Sequence, residues 1–157
     1  MSDTPSIKKA LSRRIVISDQ YDKVLKMESS IPLNRPDLAR LLTNIGGANG
    51  LREILLDFYA RMAADTMLGF FFSGKDLNLI AEKQEAFLLR AMGATPSYSG
   101  KPPAQAHDEL PPILAGHFDR RLRILEETLL GRGVKAEDIR TWVAFESAFR
   151  SAIVSKT

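Results

Sequence analysis

The sequence predicts an all-α protein, and three observations carry that expectation. Prolines fall early (Pro5, Pro32, Pro36) and in one middle cluster (Pro96, Pro102, Pro103, Pro111, Pro112), which leaves two long proline-free stretches. Apolar residues inside those stretches recur at helical spacing. Only Ile15-Val16-Ile17 reads as strand, and three residues are too few to build a sheet.

The elements follow in chain order. Residues 7–28 hold two weak helical candidates separated by Ser18-Asp19, and Asp37 to Asn44 reads as a short helix. Leu51, Ile54, Leu55, Phe58 and Met62 then stand at i, i+3, i+4, i+7 and i+11, one face of an amphipathic helix expected from about Asn49 to Asp65. A short apolar corner, Leu68-Gly69-Phe70-Phe71-Phe72, leads to a second helix opening at Ser73 to Asp76, both good N-cap residues, and closing at Gly93. Its apolar stripe is Leu77, Ile80, Ala81 and Leu88, interrupted by Gln84. An amide on that face must find partners or cost roughly 1–3 kcal/mol.

Residues 94–110 have a loop composition that ends in a short helical piece, Pro103 to Leu110, carrying His107. Pro111-Pro112 suit the first turn of the next helix, with Ile113, Phe118, Leu122, Leu125 and Leu129 on its buried side until Gly131-Arg132-Gly133. A last helix from about Lys135 aligns Ile139, Trp142, Phe145, Phe149 and Ile153. Arg120, Arg121 and Arg123 read as a solvated charged face.

Composition narrows the chemistry. The 157 residues include no Cys and two His, which excludes disulfides, Cys-ligated zinc, iron–sulfur clusters, thiol nucleophiles and a three-His metal site. The net charge of +3 lies wholly in residues 1–45, where eight Lys/Arg meet five Asp/Glu. A neutral body with a mildly basic leader lacks the clustered basic face that nucleic acid requires. No apolar run approaches the roughly 20 residues of a membrane span, and the first residues lack a secretory h-region. A cytoplasmic protein without nucleic-acid or membrane partners is expected. P-loop, dinucleotide, HExxH and Ser–His–Asp patterns are absent.

Three features converge on one chemistry: a buried-face amide (Gln84), a tyrosine beside an apolar stripe (Tyr59), and a single histidine on a short segment between prolines (His107). One neutral imidazole is what a haem iron needs as its protein ligand, and the opposite wall needs one or two hydrogen-bond donors. Taken singly, each has a plainer reading. His107 could be a surface residue, Tyr59 a core tyrosine, Gln84 an amide satisfied by a neighbouring helix, and Phe70 to Phe72 mere packing. His117 reads as a residue that orders the start of its helix or contacts solvent, with a second iron ligand or propionate partner as its competing role.

Ile45-Gly46-Gly47, Leu51 to Tyr59, Phe71-Phe72-Ser73-Gly74, Lys83-Gln84, Tyr98-Ser99-Gly100, Ala106-His107, His117-Phe118-Asp119 and Gly133-Val134 follow one another in an order that resembles the truncated haemoglobins, group 1 in particular. The resemblance spans about residues 46–154. It implies a two-over-two helical sandwich over residues 46–157, preceded by a partly helical extension over 1–45. It implies haem b held by His107 as proximal ligand, with Tyr59 and Gln84 as the distal pair that hydrogen-bonds a diatomic ligand. Phe72 would pack on the porphyrin, Lys83 would meet a propionate, and Ile80, Leu88, Phe58 and Tyr98 would complete the cofactor's surroundings. The sequence departs from the family pattern at Gly93-Ala94-Thr95 and at Pro103.

The function so implied is reversible binding of dioxygen and other diatomic ligands. Oxidation of nitric oxide to nitrate, with an unidentified reductase, or weak peroxidase chemistry would follow from the same site. A non-enzymatic oxygen or nitric oxide sensor and a haem-free helical interaction protein are the alternatives. A monomer or weak homodimer is expected.

Overall fold

In the computed structural model, residues 35–94 and 111–154 are described. The leader candidates, Tyr98, and the Pro103 to Leu110 segment with His107 lie outside them. The described residues form six α-helices and one 3₁₀ turn, with no strand among them. Helix α1 is Pro36–Asn44, α2 Gly47–Ala64, α3 Leu77–Ala91, α4 Ala115–Gly131, α5 Ala136–Ser147 and α6 Arg150–Ile153. The 3₁₀ turn is Gly69–Phe72, between α2 and α3.

Helix α1 starts on Pro36, whose fixed φ suits a first helical turn. It buries Leu38 and Leu41 completely. Although the sequence grouped it with the extension, it packs against α2 and α5 in the common core, and Asn44 Nδ2 donates to Asp138 Oδ2 on α5 at 3.0 Å. The elbow into α2 depends on glycine. Gly46 has φ +100°, and a Cβ on Gly50 would stand 1.8 Å from the Ile45 carbonyl oxygen. That elbow opens α2 two residues before the expected Asn49.

Helix α2 buries the predicted stripe, with Tyr59 added. It ends at Asp65, whose Oδ2 accepts the amides of Met67 at 3.0 Å and Leu68 at 3.1 Å, turning the chain into the 3₁₀ corner. Asp76 caps α3 as expected, its Oδ1 accepting the amides of Asn78 at 3.0 Å and Leu79 at 3.2 Å. The apolar stripe of α3 splits in two. Ala81, Phe87, Leu88 and Ala91 are buried, whereas Leu77, Ile80, Lys83 and Gln84 are only half-buried.

Two expectations need correction. Pro111 and Pro112 precede α4 rather than opening it. The helix begins after Leu114, which is extended and whose amide donates to His117 Nδ1 at 3.0 Å. That bond fixes the entry, and the two prolines stay outside as an extended lead-in. The last helix is also not continuous to Ile153. At Ala148 and Phe149 the backbone tightens to i→i+3 bonds, and Phe149 packs edge-on to Phe87 and Phe145, with ring centroids 5.6 and 5.2 Å apart.

Helix α2 packs on α3, α4 on α5, and α2 on α4, which makes two helical pairs stacked on each other. Trp142, Phe58, Leu55, Leu125 and Leu129 fill the space between them, all at 1% exposure or less. An ion pair between Arg52 and Glu85, at 2.6 Å, ties α2 to α3.

Candidate functional site

The candidate site is built from α2, the 3₁₀ corner and α3. Tyr59 comes from the middle of α2 and is 6% exposed. The ring of Phe72, at the end of the corner, meets it edge-on with centroids 6.0 Å apart. Phe58 lies 5.3 Å from Tyr59 by ring centroids and is itself buried. The corner that carries Phe72 is held by Asp65, which also accepts two hydrogen bonds from Arg120 of α4, at 2.9 and 2.7 Å. Thus the end of α2 and the start of α4 are clamped where the aromatic wall begins.

Helix α3 supplies the adjoining wall. Ile80, Gln84 and Leu88 stand at i, i+4 and i+8, one row of the helix surface. Leu88 closes the row inside the core, while Ile80, Gln84 and the neighbouring Lys83 are half-buried. Seven of the nine residues expected at the site are therefore described, and six of them (Phe58, Tyr59, Ile80, Lys83, Gln84, Leu88) lie on the two packed helices, with Phe72 at the corner between them. His107 and Tyr98 lie outside the described residues.

Burial pushes the Tyr59 phenol above the usual tyrosine range, and Glu146 adds to that push, while the cation of Arg121 opposes it. The side chain is accordingly a neutral donor at any ordinary pH. His117, whose competing role would be a second metal ligand or propionate partner, has its Nδ1 engaged by the Leu114 amide. Its ring meets Phe71 and Phe70 edge-on at 5.0 and 5.8 Å. It orders the start of α4. No group of three His, Cys, Asp or Glu side chains among the described residues is arranged to hold a bare metal ion.

The arginine run on α4 requires a correction. Only Arg123 behaves as solvated surface, 63% exposed and loosely paired with Glu126 and Glu127. Arg120 serves Asp65. Arg121 turns inward, donating to Glu146 Oε1 at 2.5 Å, with Cζ 5.1 Å from the Phe58 ring centroid. A signal for this existed in the sequence. Arg121 stands three residues after Phe118 and four before Leu125, and Glu146 stands four after Trp142, so each charge interrupts an apolar stripe.

The arrangement of helices is that of a globin, and a family model described as bacterial-like globin matches residues 40–155. Group 1 truncated hemoglobins are similar over most of this range. The chain is 31% identical to one from Chlamydomonas moewusii over 73% of this chain and 68% of that protein. It is 33% identical to one from Mycolicibacterium paratuberculosis over 64% of this chain and 74% of that protein. A crystal structure of truncated hemoglobin from Tetrahymena pyriformis, a tyrosine-to-phenylalanine mutant in the Fe(III) form, superposes with TM-score 0.65 at 25% identity, covering 74% of this chain and 98% of that one. The chain belongs to the group 1 truncated haemoglobins.

Membership implies haem as cofactor and binding of diatomic ligands such as oxygen. The residues present suit such a group. A flat apolar macrocycle with an ionised edge needs an aromatic and aliphatic wall, a neutral donor and a cation at the mouth. Phe72 and Ile80, Tyr59, and Lys83 are of those kinds.

Proposed function

We propose that this chain binds one haem b through His107 and holds dioxygen reversibly on the side lined by Tyr59, Gln84, Ile80, Leu88 and Phe58. Phe72 packs on the macrocycle, Lys83 pairs with a propionate, and Tyr98 completes the surroundings. The observation that carries this reading is the buried neutral phenol of Tyr59 against Phe72, beside the half-buried row of Ile80 and Gln84 on the packed helix α3.

Haem supplies the reactive iron when bound. Tyr59 and Gln84 donate hydrogen bonds to a diatomic ligand that carries partial negative charge, which slows its release. Ile80, Leu88 and Phe58 keep that space apolar, so each donor acts in a low dielectric where it is worth more than in water. Retention of this kind suits nitric oxide oxidation better than bulk oxygen delivery. The overall change is one nitric oxide, one dioxygen and one electron giving one nitrate, with the electron supplied by a reductase. A cytoplasmic place of work belongs to the same proposal; no helix among the described residues is long and apolar enough to cross a membrane.

The test is a visible spectrum of the purified chain with added haemin, for wild type and His107→Ala. A Soret band in the wild type that changes form in the variant is expected. No Soret change in the wild type, or an identical ligated spectrum in the variant, overturns the assignment. The nitric oxide step is tested by mixing the oxygenated protein with nitric oxide. A rate no better than that of a generic haem protein removes the enzymatic reading and leaves ligand binding or sensing.

A further inference from the structure

The pair α4 and α5 carries a surface that ligand binding does not use. Leu130, at the end of α4, is 60% exposed, more than any other large apolar side chain among the described residues. With Glu126 it forms the α4 wall of an open groove of about 420 Å³, whose α5 wall is Ala136, Arg140, Val143 and Ala144. Ile139, itself buried, lies between the two walls. None of these residues belongs to the candidate site on α2, the corner and α3.

The α5 wall has the spacing of a socket. Ala136, Ile139, Arg140 and Val143 stand at i, i+3, i+4 and i+7, and four residues so placed on a helix surround a hole that an apolar side chain of a facing helix can enter. Leu130 is a side chain of that kind, half a groove away and facing water.

The charges at the two edges decide what fits. Glu126 stands on the α4 edge and Arg140 on the α5 edge. Glu126 meets Arg123 only at 4.0 Å, and Arg140 makes no ion pair among the described residues. One acid and one base do not suit an anionic polymer, which calls for clustered cations. An apolar middle with opposite charges on its two edges complements a copy of itself. A two-fold axis normal to the groove lays the α4 wall of each copy over the α5 wall of the other, so every contact is made twice.

We propose that this groove is a self-association surface. Two copies of the chain pack α4 and α5 face to face about a two-fold axis, with Leu130 of each seated on the α5 wall of the other and Glu126 facing the partner's Arg140. Seven lining residues a side are well below the roughly 20–30 of a standard interface, so the dimer is weak, with a dissociation constant between about 1 μM and 1 mM.

The experiment is sedimentation equilibrium of the full chain across that concentration range at low salt. Wild type should pass from one copy to two. Leu130→Lys changes a side chain that lies mostly in solvent, so it should leave thermal unfolding unchanged while raising the dissociation constant at least about tenfold. Glu126→Lys sets a cation against the partner's Arg140, and Arg140→Glu sets an anion against the partner's Glu126. Each alone should weaken association about three- to tenfold. Combined in one chain, the two changes restore opposite signs and should bring the constant back to within about threefold of wild type. A general loss of charge or of fold cannot produce that recovery.

A wild type that stays a single copy up to about 1 mM overturns the proposal, whatever covers the groove. Association that Leu130→Lys leaves unchanged places the contact elsewhere and overturns it too. Single charge changes without effect, or a combined variant no tighter than the single ones, show that the two walls do not face each other about a two-fold axis, and the proposal falls.

Discussion

Arg120 and Arg121 are neighbours on α4, yet they act in two different regions. Arg120 reaches outward to the corner where α2 ends. There it meets a carboxylate already engaged with two backbone amides, and its own side chain stays 39% exposed. Arg121, about 100° further round the helix, enters the interior beside Phe58, and although its partner Glu146 is no more covered than Asp65 (8% exposed in each case), its own side chain is only 20% exposed. One arginine shapes a turn at the surface. The other loads charge into a space that would be cheaper to fill with hydrocarbon. The difference teaches that the worth of a charge is set by what lies on its arc of the helix, and that adjacent residues can serve unrelated tasks.

Substitutions can break this comparison at either end. Arg121→Ala strands the Glu146 carboxylate, and a loss of about 3 kcal/mol in denaturant unfolding is expected. The Arg121→Met and Glu146→Gln pair, which removes both charges and keeps an acceptor for Trp142 Nε1, should recover most of that loss. If the pair is as unstable as the single variant, the charge is not what the single change strands.

A smaller effect is expected at the corner. Arg120 holds the Asp65 carboxyl below the usual carboxylate range, so this group stabilises the fold above its unfolded pKa of about 4 and loses that contribution as pH falls through its lower folded value. Asp65→Asn should therefore flatten the acid side of the stability profile, leaving its neutral and alkaline shape unchanged. An unaltered acid limb in urea titrations would show that the clamp adds nothing. The least effect belongs to Arg123→Ala, within about 0.5 kcal/mol of wild type. A larger loss there would show that the outer arc of α4 is not simply solvated.

Much of the fold was legible in the sequence because its signals are local. The stripe from Leu51 to Met62, the Asp76 cap and the glycines at the ends of α3 and α4 each act within a few residues. The entry to α4 was not, because prolines at 111 and 112 are as compatible with an extended lead-in as with a first turn, and the Leu114 to His117 bond decided it. The break before α6 depends on Phe149 meeting Phe87, more than sixty residues away by number, which no periodicity encodes. At the site, Tyr59, Phe72 and the α3 row could be named from their order. Arg121 was hidden by its neighbours, since three arginines in four residues look like surface until position 121 is set against Phe118 and Leu125.

Helix α1 bears on how this protein should be cut. Leu38 and Leu41 are sealed, and Asn44 covers the carboxylate of Asp138. A recombinant fragment begun at residue 46, where the family motifs begin, would bare a greasy trough across α2 and α5 and leave that carboxylate beneath it without its amide. Such a fragment should be prone to clump on expression, whereas one begun just ahead of Arg35 keeps the trough covered. The practical border of the folded unit thus runs through the segment that sequence motifs would discard.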